Sequence, residues 1–268
     1  MIDYTVRFGL EFDPFLKNSK EILVLSQEYK EGEFRLNVFS QMHGFGVLTG
    51  APGRGKTTLV RNWSASLNPS LYHVIYSSLS TLTVQEFYRY LALQLGASPA
   101  YRKAENFRLI QGEILRLARE KRKTPVIIID EANYISNAVL NDLKILFNFD
   151  MDSKDPAVVL LCGLPQLNNS LRLSSHEPLR QRLVMNYQME GLSKEEGRQY
   201  ISRKLEGAGC HSDIFEEAAA EAILNAADGT PRLINRLCST CLLIAGTKGL
   251  SLVTTDIAMQ AVGECEPA

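Results

Sequence analysis

The chain has 268 residues, enough for one large domain or two modest ones, and its 45 per cent hydrophobic and 22 per cent charged residues are those of an ordinary globular protein. Its formal net charge of −1 neither advertises nor excludes a polyanionic partner, so binding to nucleic acid would need a local basic patch. No apolar run approaches the ~18 residues of a membrane span, MIDYTVRFGL lacks the basic region and apolar core of a secretory signal, and five cysteines fit a reducing compartment, which together predict a cytoplasmic protein with no membrane contact.

Residues 1 to 20 read as irregular, with Phe12, Pro14 and Phe15, and a helical pattern covers 26–42. From there, strands and helices alternate. Short apolar runs rich in β-branched or aromatic residues predict strands at 45–48, 72–76, 126–129, 158–162 and 184–188. Helical patterns at 56–67, 83–95, 104–121 and 136–149 separate them, which implies crossovers and a parallel sheet covered on both faces. After Leu192 the strands stop, and 193–207, 214–227, 231–246 and 255–262 all read as helices. Ser193 with Glu196 forms a capping box, and Pro231 after Gly229-Thr230 starts the third of these helices. The expected organisation is an N-terminal extension over 1–25, an α/β domain over 26–190 and a small helical domain over 191–268. Cys238 and Cys241 have redox or half-zinc spacing, but no second pair completes a four-ligand site. They fall among leucines and isoleucines and read as packed small side chains.

The chemistry concentrates in two places. Gly50-Ala51-Pro52-Gly53-Arg54-Gly55-Lys56-Thr57-Thr58 fits GxxxxGK[ST] between a strand and a helix, the context that this phosphate-binding loop requires. Glycines let backbone N–H groups wrap phosphates without a Cβ in the way, and the helix N-terminus adds its positive end. Lys56 would neutralise the β- and γ-phosphates, and the Thr57 hydroxyl would ligate Mg²⁺. VIIIDEA (126–132) supplies the acidic half: Asp130 arrives at the carboxyl edge of the sheet to hold Mg²⁺ through water. Glu131 is placed to polarise the attacking water as a general base. These residues predict ATP and Mg²⁺ as ligands and ATP hydrolysis as the activity.

With CGLPQL (162–167), LRQR (179–182) and GTPRLINRL (229–237) added, the chain resembles an AAA+ ATPase. More narrowly, it is similar to the ExeA/TnsC/TniB/MuB-like group, which includes ATP-dependent regulators of DNA transposition, and FGLEFDPF also looks like an ExeA-type start. The resemblance implies a P-loop core with a five-stranded parallel sheet and a small C-terminal helical lid. It implies Arg182 as the finger reaching a neighbouring subunit's nucleotide, with Arg180 as runner-up, and Arg232 as the lid's sensor 2. The polar sensor 1 position is Leu164 here, a departure that predicts slow hydrolysis, with Gln166 as its substitute. Ser77 or Ser78 would restrain Glu131. The group's non-specific DNA contacts line a ring or helical filament, and Tyr101, Arg102 and Lys103 are the loop expected to make them. The run Arg119–Lys123 reads first as a solubilising helix end.

The function so implied is an ATP-dependent DNA-binding regulator that forms a homo-oligomer on duplex DNA and recruits a transposase, with a target-selection protein as a further partner. Two alternatives stand beside it: an ExeA-like secretion-assembly ATPase, whose type adds a membrane segment and a cell-wall-binding domain after the core, and a nucleotide-gated switch with little hydrolysis.

Overall fold

Continuous apolar runs such as VIII (126–129) and VVLLC (158–162) make stable strands only when both faces are covered. In the computed structural model, which describes residues 4–151 and 153–265, they form the middle of a sheet. In chain order the elements are α1 (Tyr4–Arg7), α2 (Gln27–Met42), β1 (Gly44–Gly50), α3 (Lys56–Ser66), β2 (Tyr72–Ser77), α4 (Val84–Gln94), α5 (Lys103–Leu115), β3 (Thr124–Ile129) and α6 (Asn137–Leu146). There follow β4 (Val158–Gly163), α7 (Gln166–Arg172), α8 (Glu177–Arg180), β5 (Leu183–Met189), α9 (Lys194–Glu206), α10 (Glu217–Ala227), α11 (Pro231–Thr247) and α12 (Thr255–Cys265).

The chain divides into two units. One, Glu31–Ala51 with Lys56–Met189, contains the sheet. Its five strands are all parallel, in the order β2-β3-β4-β1-β5. β1 and β4 are buried along their whole length, whereas the edge strands β2 and β5 expose part of theirs. Phe45, Ile127, Val159 and Leu161 pack with Leu91 and Ile114 from the crossover helices into one apolar core. Register aligns the carboxyl ends: Thr49 lies beside Gly163, Ile129 beside Leu161, and Ser77 beside Ile129. The residues that follow β1, β3 and β4 therefore emerge at one edge of the sheet, where open α/β sheets bind ligands.

The other unit comprises the residues up to Lys30, Pro52–Gly55 and Glu190–Ala268. Its core joins Ile201, Ile223, Ile234 and Leu242 from α9 to α11 with Val253 and Ile257. The capping box at Ser193 and Glu196 is present, and Pro231 opens α11. The described part of the segment 1–25, expected as a separate extension, contributes to this core: Phe8, Leu10 and Phe15 are buried in it. Asp13 makes the clamp, with Oδ2 accepting from Tyr4 Oη at 2.8 Å and Ser239 Oγ at 2.7 Å. Lys204 Nζ donates to the carbonyl of Pro14 at 3.1 Å, and burial lowers the pKa of this lysine. Cys238 and Cys241 are fully buried free thiols on α11, their pKa values raised by burial, as packed side chains require.

Candidate functional site

The loop between β1 and α3 turns at Gly53 and Gly55, with φ of +78° and +99°. Only glycine takes these values readily, and left-handed turns of this kind let successive N–H groups form an anion-binding concavity. Lys56, the first residue of α3, folds its ammonium back to donate to the carbonyls of Gly50 at 2.7 Å and Ala51 at 3.0 Å. An ammonium held at the mouth of such a loop is placed to exchange those carbonyls for phosphate oxygens. Arg54 spans to Asp228 at 3.4 Å within the helical unit. There Arg232, whose N–H donates to the Gly53 carbonyl at 3.4 Å, lies so close that a Cβ on Gly53 would meet its Cβ at 2.8 Å. The exposed Arg232 thus borders the loop tip.

One turn further, the Thr57 hydroxyl donates to Asp130 Oδ2 at 3.5 Å. Asp130 is 8 per cent exposed, with Oδ1 accepting the Glu131 N–H at 2.9 Å and Oδ2 accepting the Tyr76 hydroxyl at 2.8 Å. Among the described residues no three His, Cys, Asp or Glu gather as a metal cage. A hydroxyl and a carboxylate converging beside a phosphate loop nonetheless fit Mg²⁺, a hard cation that keeps several waters and takes phosphate oxygens for the rest. Glu131 has the left-handed conformation (φ 53°, ψ 34°), rare for a side-chain-bearing residue and typical of functional turns. Its side chain is exposed at the sheet edge.

The expected substitute for sensor 1 does not enter these contacts. Gln166 is exposed at the start of α7. Two asparagines passed over by the sequence analysis are engaged instead. Asn133 Oδ1 accepts the Leu164 N–H at 2.9 Å, and a Cβ on Gly163 would meet that oxygen at 2.9 Å, so the glycine makes room for it. Asn168 Nδ2 donates at 3.1 Å to the Thr49 hydroxyl, which is buried in β1 just ahead of the loop. The sequence signal was weak in both cases: one polar residue after DEA and one in the first turn of a short helix. Ser77 does not restrain Glu131, because its hydroxyl donates to the Leu79 carbonyl at 3.4 Å; Ser78 is exposed.

Two further residues expected at interfaces are engaged within the chain. Arg182 is committed inside its own subunit: its guanidinium donates to the carbonyls of Lys144 (3.1 Å) and Phe147 (2.8 Å) and to Asp155 Oδ1 (3.0 Å), over the Phe45 ring. The Arg182 side chain is only 14 per cent exposed. Arg180, two residues earlier, is exposed and donates to the last carbonyls of α7, those of Leu171 and Arg172, at 3.4 and 3.1 Å. Lys103, itself 48 per cent exposed, pairs with the buried Asp142 at 2.6 Å and lies over the Tyr88 ring. Tyr101 and Arg102 remain exposed at the loop, and Arg119 pairs with Asp150 at 3.2 Å.

Residues 40–171 match the family model of the AAA domain. The chain is 32 per cent identical over 264 residues to general secretion pathway protein A of Aeromonas hydrophila, an alignment covering 96 per cent of this chain and 48 per cent of that protein. The chain thus spans about half the length of this curated relative. In fold it is similar to Cdc6p of Pyrobaculum aerophilum, with a TM-score of 0.70, 15 per cent identity, and 94 and 70 per cent of the two chains covered. A Drosophila ORC chain, from a structure bound to DNA, gives a TM-score of 0.62, 19 per cent identity, and 98 and 73 per cent covered.

Proposed function

We propose that this AAA+ ATPase is an ATP-gated, self-assembling factor of the secretion-assembly type. The protein uses ATP and Mg²⁺; the proposal concerns what its nucleotide state controls. The observation that carries it is the 32 per cent identity to the secretion protein along 96 per cent of this chain, the nucleotide loop and the helical unit included. In this reading Gly50–Thr58 cradle the phosphates, Lys56 faces the β- and γ-oxygens, and Arg232 is the sensor 2 that the family resemblance implies. Mg²⁺ would be held by Thr57 and, through water, by Asp130, and it would neutralise charge building on the phosphate oxygens. Glu131 takes the proton from the attacking water. A cytoplasmic location, where ATP is supplied, belongs to this reading.

Assembly separates the two arginines. With a slowly hydrolysed ATP analogue, sedimentation of Arg180→Ala should show loss of the ATP-dependent oligomer at unchanged nucleotide affinity. Arg182→Ala should instead lose about 2 kcal/mol of stability, roughly 4–8 °C in Tm, because two part-buried carbonyls and the exposed Asp155 carboxylate lose their donor. Assembly lost only in Arg182→Ala, with its Tm intact, would return the trans role to Arg182.

A second reading keeps the site and changes the partner: a regulator of transposition that assembles on duplex DNA and engages a transposase. The motif resemblance and the exposed Tyr101-Arg102 loop favour it. Since the net charge is −1, such binding would need ATP-driven repetition of weak contacts. It would ignore base sequence and fall steeply with salt. The secretion reading expects no ATP-dependent retention of duplex DNA in a mobility-shift titration from low to physiological salt, and loss of the gene to impair protein secretion. ATP-dependent, salt-steep binding that Arg102→Ala weakens would transfer the assignment to the second reading.

A further inference from the structure

Tyr76 lies on β2, an edge strand of the sheet, and is 47 per cent exposed. Its ring makes no demand for a hydroxyl, since phenylalanine would cover the same carbon surface. Yet the hydroxyl reaches Asp130 Oδ2 at 2.8 Å, well inside the 3.5 Å of the Thr57 hydroxyl to the same oxygen. Oδ1 is occupied by the Glu131 N–H at 2.9 Å. The carboxylate is therefore fixed at both oxygens, by its own turn on one side and by Tyr76 on the other. A phenol keeps its proton throughout the physiological range, so the Tyr76 hydroxyl is the donor in this bond.

We propose that Tyr76 is a positioning residue of the magnesium site, holding Asp130 in the orientation that meets the metal's water shell. The proposal rests on the assignment of Asp130 as the metal's partner. Outer-shell partners of ligating groups set their orientation, and their loss weakens metal binding by roughly 10- to 100-fold. Because the hydroxyl acts through a carboxylate, its removal should touch the metal and leave the phosphates' other contacts alone.

The test titrates Mg²⁺ into the full chain with a fluorescent ATP analogue, reading nucleotide binding rather than turnover. Tyr76→Phe should raise the half-saturating Mg²⁺ concentration about tenfold, with analogue affinity in EDTA unchanged. An unmoved Mg²⁺ requirement overturns the proposal, and so does a fall in Tm with that requirement unmoved, which would make the bond merely structural. Asp130→Asn separates the two assignments. If Tyr76 acts through Asp130, the double variant matches Asp130→Asn alone. If Asp130→Asn itself leaves the Mg²⁺ requirement unmoved, the underlying assignment fails before Tyr76 is judged.

Discussion

Lys56→Ala is expected to abolish ATP binding in a titration that the unmodified chain saturates. The Lys56 ammonium is held over the loop by the Gly50 and Ala51 carbonyls at 2.7 and 3.0 Å, and in the proposed site it faces the phosphates. Glycine N–H groups supply partial charges; the lysine supplies a whole one, facing a polyphosphate in a part-buried site. Removing one member of a hydrogen-bonded charge pair of this kind costs about 2–5 kcal/mol, roughly a 30- to 4,000-fold rise in Kd. The two carbonyls lose their donor as well, but the loop is only partly buried and water can replace it, so Tm should hardly move. Fluorescence titration beside a melting curve reads both quantities. A Kd within threefold of the unmodified chain, with Tm intact, would remove Lys56 from the phosphate site.

The sheet was legible because its middle strands are written as unbroken apolar runs. Val126–Ile129 and Val158–Cys162 have no polar side, and a chain that buries both faces of a strand must cover them with helices. The loop at Gly50–Thr57 was legible for a different reason: positive φ at Gly53 and Gly55 is a local need that only the residue type can meet. Partners distant in sequence were another matter. Arg182 meets carbonyls 38 and 35 positions away, and Lys103 meets Asp142 39 positions away. Nothing local distinguishes Arg182 from the exposed Arg180, or shows that the exposed Lys103 is tied to a buried carboxylate while Arg102 beside it is not; only packing decides. Tyr76 shows the same limit. On an edge strand a tyrosine reads as an ordinary β-former, and its value depends on a carboxylate 54 positions later. The N-terminal segment was misjudged because short aromatic stretches such as FGLEFDPF carry no periodicity, although Asp13 ties them firmly to α11.

Glu131→Gln should bind ATP as the unmodified chain does and yet turn it over about 10²- to 10⁴-fold more slowly, the range that a positioned general base contributes. The substitution keeps volume and hydrogen-bonding shape and removes only the capacity to take a proton. In the proposed site this role falls to Glu131 and not to Asp130. Both oxygens of Asp130 are already engaged, by the Glu131 N–H, the Tyr76 hydroxyl and the Thr57 hydroxyl. Glu131, turned by its left-handed backbone, keeps an exposed carboxylate at the same sheet edge. Strain of about 1–3 kcal/mol at a side-chain-bearing residue persists only where surrounding structure enforces it, and here the Asp130 oxygen bonded to the Glu131 N–H does so. Since binding survives while hydrolysis stops, ATP-assembled oligomers of Glu131→Gln should outlast those of the unmodified chain. A single-turnover assay with sedimentation on the same sample reads chemistry and assembly separately. Hydrolysis at the unmodified rate would show that the proton leaves by another route, and then the strained turn would serve only to aim Asp130.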